Sequence, residues 1–218
     1  MKIQTIHTID LIPIDLNALF YKIEVIIARL SEEKNDLFNK NKFKAKFLER
    51  KFIINNLMWS HKLKCWSDYD NSKKSLKETN FYLTNFSPLF MGIKPKGISE
   101  TDLIFNYIDK MNQYEGGIPF SFFNSTQQWD FANVWAPNQD GFITMLLKHD
   151  KRLALMFARK FFNSVYKGWS KSGQIFEKYS AVNVGERGSG GEYVAQSGFG
   201  WTNGAVIRIL NQFGDELI

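Results

Sequence analysis

Apolar residues recur at helical spacing in stretch after stretch of this chain, and strong strand–helix–strand alternation is missing, so an all-α fold is what the pattern permits. After Pro13-Ile14-Asp15, with Asp15 placed to cap, Leu16, Leu19, Phe20, Ile23, Ile26, Ile27 and Leu30 share one face. A second helix is expected over 42–61 through Phe43, Phe47, Ile53, Ile54 and Leu57. Both stripes are read as core-facing. Shorter helical patterns follow at 85–90 and 101–111, the latter with Ser99 and Asp102 placed as a cap. Further helices are expected over 139–149, over 150–169, and from Thr202 or Asn203 to a stop at Gly214. That makes six or seven helices in antiparallel succession, interrupted at 65–82 by a short hairpin or irregular loop. One domain, 1–218, accommodates them all, since a chain of this length buries roughly 70% of its unfolded surface.

Two loops break the helical rhythm. Gly116-Gly117-Ile118-Pro119 leads into SFFNSTQQWDFANVWAP, and seven of the chain's fifteen glycines lie between Gly185 and Gly204. Glycine at that density supplies positive-φ turns and close backbone approach, and a long irregular loop in a compact domain is usually functional. If successive helices run up and down, both loops close on one rim.

The formal charge of +6 raises a nucleic-acid reading. Yet the basic residues concentrate over 34–51 with Phe38, Phe43, Phe47 and Phe52 interleaved, the pattern of a helix with one solvated basic face. No nucleic-acid partner is expected. Cys65 is the only cysteine, so the chain forms no internal disulfide, and no apolar run reaches the roughly 18 residues of a membrane span. Asp10 and Asp15 interrupt any signal-peptide core. The compartment stays open: cytoplasmic, or secreted if a signal precedes the sequence given.

Candidate chemistry is reached by exclusion and by type. His7, His61 and His149 stand apart, so no metal site is expected, and Gly168-Trp169-Ser170-Lys171-Ser172 misses the final glycine of a nucleophile elbow. Gly188-Ser189-Gly190-Gly191 lacks the strand before and the Lys-Ser/Thr after that a phosphate loop needs. No cofactor is called for. Carboxylates among aromatic rings remain, and that pairing suits sugars, whose apolar faces lie on indole or phenyl rings while their hydroxyls need planar polar partners. Gln128, Trp129 and Asp130, with Asn133 and Trp135, offer both kinds of contact. Glu177 and Glu192 are the carboxylates placed for glycoside hydrolysis, which uses two. Equally open is a plain reading, with Glu177 at a helix end and Glu192 bonded to loop amides.

The run EKYSAVNVGERGSGGEYVAQSGFGWTNG and the segment QWDFANVWAP resemble the α,α-trehalases of the inverting (α/α)6-barrel type, as do LIPIDLNALFYKIE, WSDYD and GGIPFSFFNSTQQWD. The likeness covers nearly the whole chain. It implies the second half of an (α/α)6 toroid acting on α,α-trehalose without a cofactor, in which the Glu of Glu-Lys-Tyr is the water-activating base, here Glu177. The Glu of Gly-Gly-Glu-Tyr, here Glu192, contacts sugar, and Gln128, Trp129, Asp130, Phe199 and Trp201 line or support the pocket. Two departures stand out: Ala132 replaces a signature proline, and the Gly-Trp-Asp-Phe-Ser type stretch that bears the family's general acid is absent from this sequence. The expectation is therefore a C-terminal portion whose helices expose apolar faces that a missing N-terminal half would cover, and which is inactive alone. The alternative expectation is a non-catalytic helical protein, derived from a trehalase, that binds carbohydrate or associates with another chain.

Overall fold

The structure is a computed structural model that describes residues 7–191 and 193–217. Seven α-helices and seven short strands are formed among the described residues, and the chain divides into two compact units with the break between Leu103 and Ile104. The expected all-α class with a short hairpin insertion holds.

In the first unit, β1 (Leu11–Ile12) leads into α1 (Ile14–Glu33) and α2 (Leu37–Leu57). Asp15 does not cap α1: Pro13 holds the cap position, and the Ile14 N–H donates instead to Asp68 Oδ1 at 2.9 Å, from a segment distant in sequence. Asp36 caps α2 by accepting from the Asn39 N–H at 3.0 Å, which starts that helix five residues before the apolar pattern does. Arg50 ties the pair, donating to both Glu24 oxygens at 2.8 and 3.0 Å and to Asn17 Oδ1 at 2.9 Å.

The α1 stripe is not core-facing. Leu16, Leu19, Phe20, Ile23, Ile26 and Leu30 are 37–46% exposed, and α1 instead buries Ile14, Ala18, Glu24 and Ala28 as it packs on α2 and the Leu83–Phe90 region. On α2 only Ile54 is buried, while Phe52, Ile53 and Leu57 are exposed. Small residues let α1 approach its neighbours closely, so the large apolar side chains point away from them. Strands β2 (Trp59–Ser60) and β3 (Cys65–Trp66) form one hairpin. β4 (Tyr69–Asp70) and β5 (Ser75–Leu76) form another, joined by β1 in the order β1-β4-β5. A 3-10 turn, Leu83–Phe86, runs into α3 (Ser87–Phe90).

Helix α4 (Glu100–Asn112) carries the chain into the second unit, with the Asp102 N–H donating to Ser99 Oγ at 3.0 Å, as the capping pattern requires. There, α5 (Ala136–Leu146) begins earlier than the pattern indicates because Pro137 suits the first helical turn, where its absent N–H costs nothing. Helix α6 (Lys151–Ser172) is capped by Asp150, which accepts from the Arg152 and Leu153 N–H groups, and ends at the left-handed Gly173. Helix α7 (Gly200–Phe213) completes the unit. Between these helices, β6 (Asn133–Trp135) and β7 (Lys178–Ser180) pair antiparallel, Trp135 opposite Lys178. That ladder positions everything described next.

Candidate active site

Strand β6 is the end of the QWDFANVW segment, and β7 is the start of the segment that follows Glu177. Their pairing brings the two loops singled out in the sequence into contact. The assembly is layered by backbone bonds. Phe120 N–H donates to Asn133 O at 2.8 Å, Ala181 N–H to Ala132 O at 2.8 Å, and Gly116 N–H to Ala181 O at 2.9 Å. Gly116 is obligatory, since a Cβ there would lie 2.0 Å from Ser180 O.

Glu177 is 2% exposed, so its carboxylate requires partners. Tyr193 Oη donates to Oε1 at 2.8 Å, and the Gln196 N–H donates to Oε2 at 3.1 Å. The backbone is fixed as firmly: Glu177 N–H donates to Gln196 O at 2.8 Å, and Trp201 Nε1 donates to Glu177 O at 2.8 Å. The Glu177 bond holds the Tyr193 hydroxyl above its ordinary pKa and so keeps it a donor.

Trp201, bonded to the Glu177 backbone carbonyl, belongs to a cluster of rings. Trp129 stacks on Trp135 with centroids 3.9 Å apart and planes 5° from parallel, while Trp201 stands edge-on to both at 6.5 and 5.5 Å. Phe199 lies 4.5 Å from Trp201, and Phe120 meets Trp129 edge-on at 5.1 Å. Trp129 remains 41% exposed, whereas Trp135 is buried, so one indole face is offered outward on a fixed support.

The remaining polar groups divide by role. Asp130 is buried, and its Oδ2 accepts from Ser125 N–H and Oγ and from Gln127 N–H at 2.5, 2.7 and 3.1 Å, fixing the turn before Trp129. Gln128 Oε1 and Asp130 Oδ1 are buried and lack a hydrogen-bond partner among the described residues. The Gln128 side chain lies against Gly191, where a Cβ would come within 2.8 Å, and Gly190 and Gly191, both at φ +83°, turn the loop across it. Glu192 lies outside the described residues. Glu177, Gln128, Trp129, Asp130, Phe199 and Trp201 are therefore gathered in one place.

Tyr193, Lys178, Trp135 and Gln196 also belong to the site and were not read as site residues from the sequence, apart from Trp135 as a sugar-contact candidate. Tyr193 follows Glu192 in Gly-Gly-Glu-Tyr, and its place in that motif was the available signal. Lys178 is fully buried, with its Nζ donating to Ser189 O and Gly190 O at 2.9 and 3.2 Å and sitting 5.2 Å from the Trp135 ring centroid. Burial pulls its pKa down, against the opposing charges of Glu177 and Asp130. Among the described residues, no three His, Cys, Asp or Glu side chains gather as a metal site.

The helical scaffold has the fold of the (α/α)6-toroid class, which it shares with the solved structures it matches. The family model for trehalase matches residues 1–214, and the chain belongs to the trehalase family. It is 33% identical to human trehalase over 217 residues, which is 97% of this chain and 37% of that protein. To the trehalase of Apis mellifera it is 32% identical over 229 residues, covering 99% of this chain and 36% of that protein. Neutral trehalase Nth1 from Saccharomyces cerevisiae shares the fold with a TM-score of 0.73 at 21% identity, over 95% of this chain and 39% of that one. A mannosylglycerate hydrolase of family GH63 from Thermus thermophilus does so with a TM-score of 0.68 at 15% identity, over 93% and 45%. The chain thus spans little more than a third of the length of the curated relatives it matches.

Proposed function

We propose that this chain is the water-activating, sugar-holding portion of an inverting glycosidase acting on α,α-trehalose. Glu177 takes a proton from water as that water attacks the anomeric carbon. Trp129 lies under the pyranose face, and Glu192 and Gln128 bond to sugar hydroxyls, with Phe199 and Trp201 walling the pocket and Asp130 supporting its turn. The observation that carries this reading is a buried, doubly hydrogen-bonded Glu177 whose backbone carbonyl accepts from Trp201, the indole that stands edge-on to Trp129 and Trp135.

Inversion also needs an acid for the leaving oxygen, roughly 6.5–9.5 Å from the base. The Gly-Trp-Asp-Phe-Ser stretch expected to supply it has no counterpart here, and Asp130, although it lies in Trp-Asp-Phe, is committed to its own turn. Alone, then, the chain binds trehalose and does not turn it over. Calorimetry and a glucose-release assay on the wild-type chain and Glu177→Gln test this. Both should bind, with affinities within about tenfold of each other, and neither should release glucose above the other. Turnover that Glu177→Gln abolishes would mean an acid lies within these residues. No binding by the wild type would remove the sugar reading.

The exposed α1 stripe favours a second reading, a non-catalytic protein that associates with another helical chain through that face. A mass measurement in solution separates it from a monomeric sugar binder.

A further inference from the structure

A lysine with no exposed surface in the middle of a sugar site needs an explanation, because removing an ammonium from water is costly and an apolar side chain of the same length is often tolerated in its place. Lys178 offers one through what it holds. Its ammonium reaches two successive loop carbonyls, Ser189 O and Gly190 O, and the Gly188 N–H returns a bond to Lys178 O at 3.0 Å. Immediately beyond, Gly191 N–H donates to Thr126 O at 3.0 Å, laying the loop over the turn that precedes Gln128 and Trp129. Two residues further on, Tyr193 Oη meets Glu177.

We propose that Lys178 is the positioning residue of this site: by binding the carbonyls of Ser189 and Gly190 it fixes the glycine loop so that the Tyr193 hydroxyl is delivered to the Glu177 carboxylate. The inference rests on the sugar-site reading of Glu177 for its consequence, while its geometry stands independently. Lys178 acts on Glu177 through the loop, and its charge over the Trp135 face steadies the ring on which Trp129 is stacked. Without the ammonium, the Ser189 and Gly190 carbonyls lose the donor that ties them to the buried Lys178, and this exposed stretch of loop takes its hydrogen bonds from water instead and is no longer held in place.

Amide hydrogen exchange on Lys178→Met reads this directly. The Gly191 and Gln196 amides, bonded to Thr126 O and Glu177 Oε2, should exchange at least about tenfold faster than in the wild type, while the α6 amides of Ala158 and Phe161 keep their rates. A general loss of packing would accelerate all four. Should the methionine variant not fold, Lys178→Gln takes its place in the same comparison. Trehalose affinity supplies the second readout: Lys178→Met and Tyr193→Phe should each weaken binding, and the double variant should lose no more than the worse single one, because one residue acts through the other. Unchanged loop exchange, or losses that multiply, overturns the assignment. If the wild-type chain does not bind trehalose, the sugar reading falls and the exchange comparison still decides the role of Lys178.

Discussion

Asp68, Asp70 and Asp130 each accept hydrogen bonds from backbone amides. Asp68 caps a helix that begins 54 residues before it, Asp130 holds the turn ahead of Trp129, and Asp70 closes the β4–β5 turn. Hydrogen bonds from Ser72 Oγ and then from Lys73 hold the Asp70 carboxyl well below the ordinary carboxylate range. With its folded pKa depressed, Asp70 contributes stability that is complete above about pH 4, and that is lost as pH falls through the folded value. Urea midpoints at pH 6 and pH 3 should therefore converge in Asp70→Asn relative to the wild type, with the variant the less stable at pH 6. Equal acid sensitivity in the two proteins would contradict the assignment.

At the scale of elements, the β6–β7 ladder decides the site. Only three residues from each side pair, yet they join a segment that ends near Trp135 to one that begins beside Glu177. The ladder depends on the close approach of Gly116 to Ser180, where an added Cβ meets backbone that has no side chain to move aside. Gly116→Ala should accordingly cost about 3 kcal/mol of stability by denaturant unfolding, toward the upper end for overpacked sites. Near-ultraviolet circular dichroism should show the Trp129–Trp135 stack disturbed along with it. A variant with wild-type midpoint and spectrum would show that the ladder tolerates the displacement.

For the molecule as a whole, the controlling fact is the open apolar stripe on α1. Contiguous exposed hydrophobic surface on a soluble protein marks an interaction site or an aggregation liability. Replacing Leu19, Ile23 and Leu30 with Gln should raise the concentration at which the chain stays monodisperse in sedimentation, while the melting temperature moves little because these side chains lie outside the packed face. A marked fall in melting temperature would mean the stripe is packed after all.

Helix number and order, the Ser99 cap, the Gly214 stop and the two long loops were written locally, since spacing, capping residues and glycine act over a few positions and need no distant partner. The Glu-Lys-Tyr and Gln-Trp-Asp motifs likewise named residues that the fold gathers in one place. The tertiary structure alone decided which face of α1 is covered, that Asp68 rather than Asp15 caps that helix, that two three-residue strands bring the loops together, and that Lys178 lies buried beneath the glycines. Each depends on contacts between residues far apart in the chain, where burial and hydrogen-bond satisfaction are settled by what arrives from elsewhere and not by the neighbours in sequence.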